Sequence, residues 1–344
     1  MKFRDGQQCY VIAEIGANHN GDIKLAKKMI NAAKSSNADS VKFQSWDTSL
    51  FAEEVYEKNF FLGDDYRERN DFTLKEIVSE YSLDVTQLSE LREYCRQVGI
   101  DFATTPFSPE QIEEAASLDP AFIKIASMDL NNDEMLEKAG RTNLPLVLST
   151  GFGTMAEIDH AVRTIESTGN TDLVILHCVS LYPPQDHEVN LNNLEMLRLA
   201  FGYPVGFSDH TLGTDISLAS IAKGAVVLEK HFTLDKEMLG WDHHMSATPE
   251  ELNVITRSAA SIHAALGATR RVVSERELER RDEYRRSIVT AEPIAQGETI
   301  TTAKLTLKRP GTGFEPNMSR LVVGMKAARD LPANVVLSFE DLQI

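Results

Sequence analysis

The sequence predicts an α/β protein, a (β/α)8 TIM barrel followed by a small β-rich domain. Three observations carry that reading. Short apolar, β-rich runs alternate with longer amphipathic ones, which implies a parallel sheet with helices outside it. About eight such units fall within roughly 250 residues, the arithmetic of a (β/α)8 barrel. After Gly267 the pattern breaks into short strand-like pieces punctuated by Gly and Pro. An open doubly wound sheet is the competing architecture, but no GxGxxG follows the first strand-like run, which weakens a dinucleotide-binding version.

Strands are expected at YVIAEIG (10–16), ADSVKFQ (38–44), IDFATTP (100–106), AFIKIAS (121–127), LPLVLST (144–150), DLVILHC (172–178), YPVGFSD (203–209) and AVVLEKH (225–231). Between most of them lie helical patterns such as DIKLAKKMINAAKSS, VTQLSELREYCRQV, MAEIDHAVRTIEST and TDISLASIAKGA. One connection breaks the rhythm. Residues 45–83 form a long aromatic and acidic insertion between the second and third strands; it either shapes a pocket or decorates the periphery. The barrel is assigned to 1–268. Residues 269–285 are mostly charged, lack apolar periodicity and read as a solvated linker. Residues 286–344 form the β-rich domain, within which PIAQGETITTAKL and DLPANVVLSFEDL share one local logic: an apolar entry, a turn and a closing helical turn.

The chain has 344 residues, 42% hydrophobic and 25% charged, with Lys+Arg 35 against Asp+Glu 52 and a formal charge of −17. That balance argues against general attraction to nucleic acid or anionic membranes, although a local lysine cluster can still hold an anionic substrate. No apolar stretch approaches the ~20 residues of a spanning helix. The N-terminal segment runs into a strand-like stretch rather than a signal-peptide core. Cys9, Cys95 and Cys178 are widely separated, with no CxxC spacing. A disulfide framework is not expected, and a reducing cytoplasm is the natural compartment.

In a parallel barrel the C-terminal strand ends gather at one mouth, so polar residues there are the first candidates for chemistry. They are Glu14 with Asn18, His19 and Asn20; Lys42 and Gln44; Thr104 and Thr105; Lys124, Ser127 and Asp129; Ser149 and Thr150; His177, Ser180 and Tyr182; Ser208, Asp209 and His210; and Glu229 and His231. Such groups are costly in a barrel interior without partners or a ligand. Strand parity puts Lys42 and Gln44 on one face, Ser208 and His210 on one face, and Glu229 with His231 opposite Lys230. Two histidines plus a carboxylate suit a divalent metal with open positions. A histidine pair so distant in sequence could equally be satisfied core residues; the shared position at strand ends favours the metal. Lys42 and Lys124, with Ser127, Ser149 and Ser208, have the donors needed to hold a carboxylate and a phosphate at close range.

These stretches together resemble the sialic-acid synthase family, the nonulosonic acid synthases of the NeuB type. The matching pieces are AEIGANHNG (13–21), VKFQ (41–44), TTPFS (104–108), KIASMDLNN (124–132), LSTG (148–151), LHC-x-S-x-YP (176–183), GFSDHT (206–211), LEKHFT (228–233) and GWDHHMS (240–246). KRPGTG (308–313) is similar to the core motif of the antifreeze-like SAF domain, a β-clip fold. The resemblance implies condensation of phosphoenolpyruvate with an N-acetylated hexose such as N-acetylmannosamine, with release of phosphate. It implies His210 and His231 as ligands of Mn²⁺ or Mg²⁺. It implies Lys42, Thr105, Lys124, Ser127, Ser149, Ser180 and Ser208 around phosphoenolpyruvate. It also implies Glu14, Gln44, Tyr182 and Asp242 at the reacting centre or sugar side. Arg309 corresponds to an arginine that reaches the site from the partner subunit's SAF domain, which implies a domain-swapped homodimer.

Two departures bear on the acceptor. Family members making N-acetylneuraminate commonly carry Asn at the position of Ser180 and a Phe near that of Arg285. Both changes point to another acceptor, such as a dideoxy diacetamido hexose in legionaminic or pseudaminic acid synthesis. Within the poorly matching loop 45–83, Asn70 is a candidate sugar contact. Two other readings compete: a metal-dependent or Schiff-base aldolase on the same barrel, and a non-catalytic carbohydrate-binding protein. A Schiff base could recruit Lys124 but leaves His210 and His231 without a task, and intact metal and lysine pairs argue against a retired site.

Overall fold

Eight parallel strands close into a barrel in a computed structural model that describes residue 3, residues 8–58 and residues 73–343. The chain divides into two units, Met1–Gly267 and Ala268–Ile344. The barrel strands are β1 (Tyr10–Gly16), β2 (Ser40–Ser45), β3 (Asp101–Pro106), β4 (Ile123–Ile125), β5 (Leu146–Ser149), β6 (Leu173–Cys178), β7 (Val205–Asp209) and β8 (Val227–His231), each paired with its neighbours in sequence order and β8 with β1. All eight lie inside the stretches expected from the sequence or within one residue of them. β4 is the shortest, because the chain turns into a 3₁₀ helix at Ser127–Asp129.

Side-chain alternation gives the barrel interior two layers. Ile12, Ala103, Val147, Val174, Leu176 and Val227 form an apolar floor with Phe3 and Phe122. Two residues further along the same strands, on the same face, stand Glu14, Thr105, Ser149, Cys178 and Glu229, which line a cavity. Outward-facing Val41, Phe43, Ile123, Leu148 and Phe207 pack under the helices in the larger core. Those helices start where a side chain accepts from their first turn: Asp22 caps Ile23–Ser35, Asp84 caps Val85–Val98 and Thr154 caps Met155–Ser167, satisfying donors that the helix leaves orphaned.

The described parts of the 45–83 insertion stand beside the mouth. Trp46 packs on Trp241 with ring centroids 4.6 Å apart and on Phe107 at 6.3 Å, and Tyr56, Leu74, Ile77 and Tyr81 complete that cluster. Those described parts therefore wall the loops after β3 and β8. Asn70 lies outside the described residues.

In the second unit β9 (Ser287–Thr290) pairs antiparallel with β10 (Leu305–Lys308), and β11 (Lys326–Ala327) with β12 (Leu342–Gln343). The core is Ile288, Ile294, Ile300, Phe314, Val322, Leu331 and Leu337. The two related segments meet about Ile294 and Leu331, which exchange backbone hydrogen bonds of 2.9 and 2.8 Å. Each then turns through a residue of positive φ, Gly297 (79°) and Asn334 (66°), and closes with a 3₁₀ helix, Thr302–Lys304 and Phe339–Asp341. The charged stretch before this domain carries two short, exposed helices, Glu275–Glu279 and Arg281–Tyr284.

The loop after β1 is clasped to the loop after β8. Asn18 Nδ2 donates to Phe232 O and Ser246 Oγ, both at 2.9 Å, and Asn20 Nδ2 donates to Leu239 O at 2.8 Å. His243 joins Thr233 Oγ1 at 2.7 Å and Asn20 Oδ1 at 3.2 Å, while His19 Nδ1 accepts the Gly21 N–H at 3.0 Å. Burial lowers both His19 and His243 to about 4, so each folds neutral. The unfolded chain takes up their protons near pH 6.5, and the barrel must therefore lose stability as pH falls from about 6.5 to about 4, by ~3 kcal/mol per histidine at the lower limit. Urea unfolding across that range checks this, and His19→Gln should flatten the slope.

Candidate active site

Strand register assembles the polar layer. Glu14 lies opposite Lys42 on β2 and opposite His231 on β8. Gln44 is level with Thr105, and Ser208 with Glu229. The result is a cavity of about 110 Å³ lined by Glu14, Lys42, Gln44, Thr105, Lys124, Ser127, Ser149, Ser180, Tyr182, Ser208, Glu229, His210 and His231, with Phe107, Met128, Phe152 and Cys178 at its walls.

Four buried charges occupy its base. Lys42 Nζ lies 2.7 Å from Glu14 Oε2 and 3.9 Å from Glu229 Oε2, and donates to Thr105 Oγ1 at 2.7 Å. Lys124 Nζ is 3.8 Å from Glu229 Oε1 and donates to Ile125 O at 3.3 Å, so most of its donor capacity is spare. Gln44 Nε2 donates to Glu14 Oε1 and Ser208 Oγ to Glu229 Oε1, each at 3.0 Å. Burial pushes the Glu14 carboxyl up to about 7, with Lys42 opposing and Glu229 adding to the rise. Burial works against Glu229 too, but Lys124, Lys42 and the Ser208 hydroxyl outweigh it and hold that carboxyl below its ordinary range. Burial lowers Lys124. Ser149 Oγ is buried without a hydrogen-bond partner among the described residues, and Ser127 Oγ accepts from Gly151 N at 3.0 Å. Idle buried donors around an under-used ammonium are what a phosphate or carboxylate would satisfy.

On the opposite wall the imidazoles of His210 and His231 have centroids 5.4 Å apart, and Tyr182 lies over His210 at 4.2 Å. His210 Nδ1 lies 2.8 Å from Val179 O. It therefore donates there, and its Nε2 keeps a free lone pair. Burial lowers both histidines, His231 well below its usual value, leaving the neutral form that ligates metals. Among the described residues His231 Nδ1 makes no hydrogen bond, with Asp242 Oδ2 3.6 Å away. This donor set fits a divalent cation with open positions, although among the described residues no three His, Cys, Asp or Glu side chains group to hold one alone.

Several mouth candidates face elsewhere. Thr104, one residue off Thr105, points outward and meets Ser45 Oγ at 2.6 Å. Asp209 likewise turns away and pairs with Lys230. His177 bonds Val189 O at 2.6 Å, Thr150 bonds Leu176 O at 2.9 Å, and Asp129 accepts from Asn132 at 3.3 Å. Asn18 and Asn20 form the clasp, and His19 braces their own loop through Gly21. Arg309 belongs to the second unit, where its guanidinium lies 5.0 Å over the Tyr284 ring. Glu229 is the site residue whose weight sequence reasoning missed, since its link to both lysines depends on cross-barrel distances.

The chain thus presents a (β/α)8 barrel whose mouth gathers two lysines and a row of hydroxyls beside a histidine pair, the end of the barrel where such folds carry their active sites. The NeuB family model matches residues 29–271 and the SAF domain model matches residues 285–343, so the chain belongs to the NeuB family with a SAF domain attached. It is 36% identical over 97% of its length, and 95% of the relative's, to the N,N'-diacetyllegionaminic acid synthase of Legionella pneumophila. It is 31% identical to the pseudaminic acid synthase of Helicobacter pylori, over 97% of each chain. The N-acetylneuraminic acid synthetase of Leptospira borgpetersenii superposes with a TM-score of 0.70 at 30% identity, covering 80% of this chain and 90% of that one. As a family member the chain is a phosphoenolpyruvate-utilising enzyme. No helix among the described residues is long and apolar enough to cross a membrane.

Gly16 lies close against the Glu14 and Gln44 side chains. Its φ is +53°, and a Cβ there would stand 3.1 Å from Glu14 Oε1 and 3.3 Å from Gln44 Nε2. Gly16→Ala should therefore displace both side chains and lower turnover by about tenfold or more, measured as initial rate beside a melting curve.

Proposed function

We propose that the chain condenses phosphoenolpyruvate with an acetamido hexose to give a nonulosonic acid and phosphate, and that the acceptor is a diacetamido hexose of the legionaminic or pseudaminic type. The observation that carries the reaction is the convergence of Lys42, Lys124 and the serine hydroxyls on one cavity with His210 and His231. The acceptor reading draws support from the Legionella and Helicobacter relatives and from the short side chain at Ser180. N-acetylmannosamine is the second reading, supported by the Leptospira structure.

Lys42, Thr105, Lys124 and Ser208 hold the carboxylate end of phosphoenolpyruvate, and Ser127, Ser149 and Ser180 its phosphate. His210 and His231 would hold Mn²⁺ or Mg²⁺, which when bound supplies Lewis acidity to the acceptor's aldehyde. Gln44, Tyr182 and Asp242 orient the sugar, so that its aldehyde carbon faces C3 of the enol. After C–C bond formation the positive charge at C2 is met by the Glu14 carboxylate, which takes a proton from the attacking water. Phosphate then leaves by C–O cleavage.

The cavity rim is open and apolar: Phe152 is 77% exposed, Met128 59% and Tyr182 46%. A second copy covering that rim with its SAF domain, and contributing Arg309, gives a domain-swapped homodimer in the cytoplasm.

Phosphate release from phosphoenolpyruvate with a panel of N-acetylated hexoses, followed by product mass, tests the reaction. Release is expected to need both metal and acceptor, with diacetamido hexoses turned over best; release with none of them refutes the reading. His231→Ala should remove turnover while melting near the wild type, and full activity in excess Mn²⁺ would remove that residue from the site. Mixing inactive Arg309→Ala and His231→Ala chains should restore about a quarter of wild-type activity, because only a swapped pair rebuilds one complete site in each mixed dimer.

A further inference from the structure

The mechanism above leaves one fully buried pair of charges unused. Asp209 is 0% exposed and Lys230 2%, and neither lines the cavity. They stand on the outer face of β7 and β8, Nζ to Oδ2 2.9 Å, directly opposite each other in the strand register. Each is the immediate neighbour of a histidine: His210 follows Asp209, and His231 follows Lys230.

β7 ends at Asp209, so no ladder hydrogen bond fixes His210. The ion pair takes over at that point. Asp209 Oδ1 accepts from Thr211 N at 2.8 Å and Thr211 Oγ1 at 2.7 Å, and Oδ2 also accepts from Ser217 Oγ at 2.5 Å. Lys230 Nζ donates to Thr211 O at 2.5 Å as well as to Asp209. Residues 209 and 211, on both sides of His210, are thus anchored to the residue that precedes His231. On the inner face the rung below carries its own link, Ser208 to Glu229. The two strands are stapled on both faces just beneath the imidazoles.

We propose that Asp209 and Lys230 are a positioning pair that sets the spacing and orientation of His210 and His231, and thereby the affinity for a divalent cation. The inference rests on the metal reading above. Supporting groups behind metal ligands typically tune affinity by 10–100-fold, and a buried ion pair is not needed for stability alone, since apolar replacement of both partners is often neutral.

The test uses the full chain and Mn²⁺ alone, read by electron paramagnetic resonance titration and by melting in chelator. Asp209→Asn and Lys230→Met each leave one charge buried and unpaired, so both should melt lower and bind Mn²⁺ at least about tenfold more weakly. The double variant removes both charges. It should regain most of the melting temperature while keeping the weakened Mn²⁺ affinity and an altered spectrum. A double variant with wild-type affinity and spectrum overturns the positioning role and leaves the metal assignment standing. A wild type that binds no Mn²⁺ overturns both. Should the single variants fail to fold, the double variant against the wild type decides by itself.

Discussion

Two ammonium groups and two carboxylates share the upper interior of one barrel, and each makes the other tolerable there. A buried charge stripped of its partner costs about 3–5 kcal/mol. Lys42 between Glu14 and Glu229, with Lys124 beyond Glu229, therefore fixes how the strands must lie. A one-residue slip of β2 would move Lys42 to the outer face and leave Glu14 buried without its partner. The site's chemistry and the barrel's register are one constraint.

That balance also prepares the cavity for an anion. With no ligand, the lysines are neutralised by carboxylates on the barrel wall, so the charges stay buried without a counter-ion. An entering carboxylate and phosphate bring the negative charge that the two ammonium groups can take up. They also meet Lys124, whose ammonium donates to one carbonyl at 3.3 Å and lies 3.8 Å from the Glu229 carboxylate. The poorly satisfied groups, Lys124 and Ser149, lie toward β4 and β5, whereas the Lys42–Glu14 pair is tight. Asymmetry of this kind gives an asymmetric ligand a preferred direction.

The fold was legible because each strand announces itself twice, as an apolar run and as a polar residue at its end. The site was legible where parity alone sufficed: Lys42 with Gln44, and Glu229 with His231. Parity also separates Thr104 from Thr105 and Asp209 from Ser208, a distinction that position at a strand end overlooks. What sequence did not carry was distance across strands. Glu229 reads as an accessory carboxylate until Lys42 and Lys124 are both found within 4 Å of it. Asn18 and Asn20 read as mouth residues until their partners on the loop after β8 are seen, more than two hundred residues away in sequence.

Glu229 ties these themes together. It lies two residues from His231 of the histidine wall, on the same face, with its carboxylate 3.8 Å from Lys124 Nζ and 3.9 Å from Lys42 Nζ. A divalent cation on that wall and two ammonium groups on the other would repel strongly across a cavity of about 110 Å³ at the low effective dielectric of a buried site. A carboxylate held ionised by Lys124, Lys42 and Ser208 would offset part of that repulsion. Such a role would account for a second glutamate in a site where Glu14 is proposed to serve the reacting carbon. Neutralising Glu229 would bring the two positive centres into direct conflict even with every ligand contact intact.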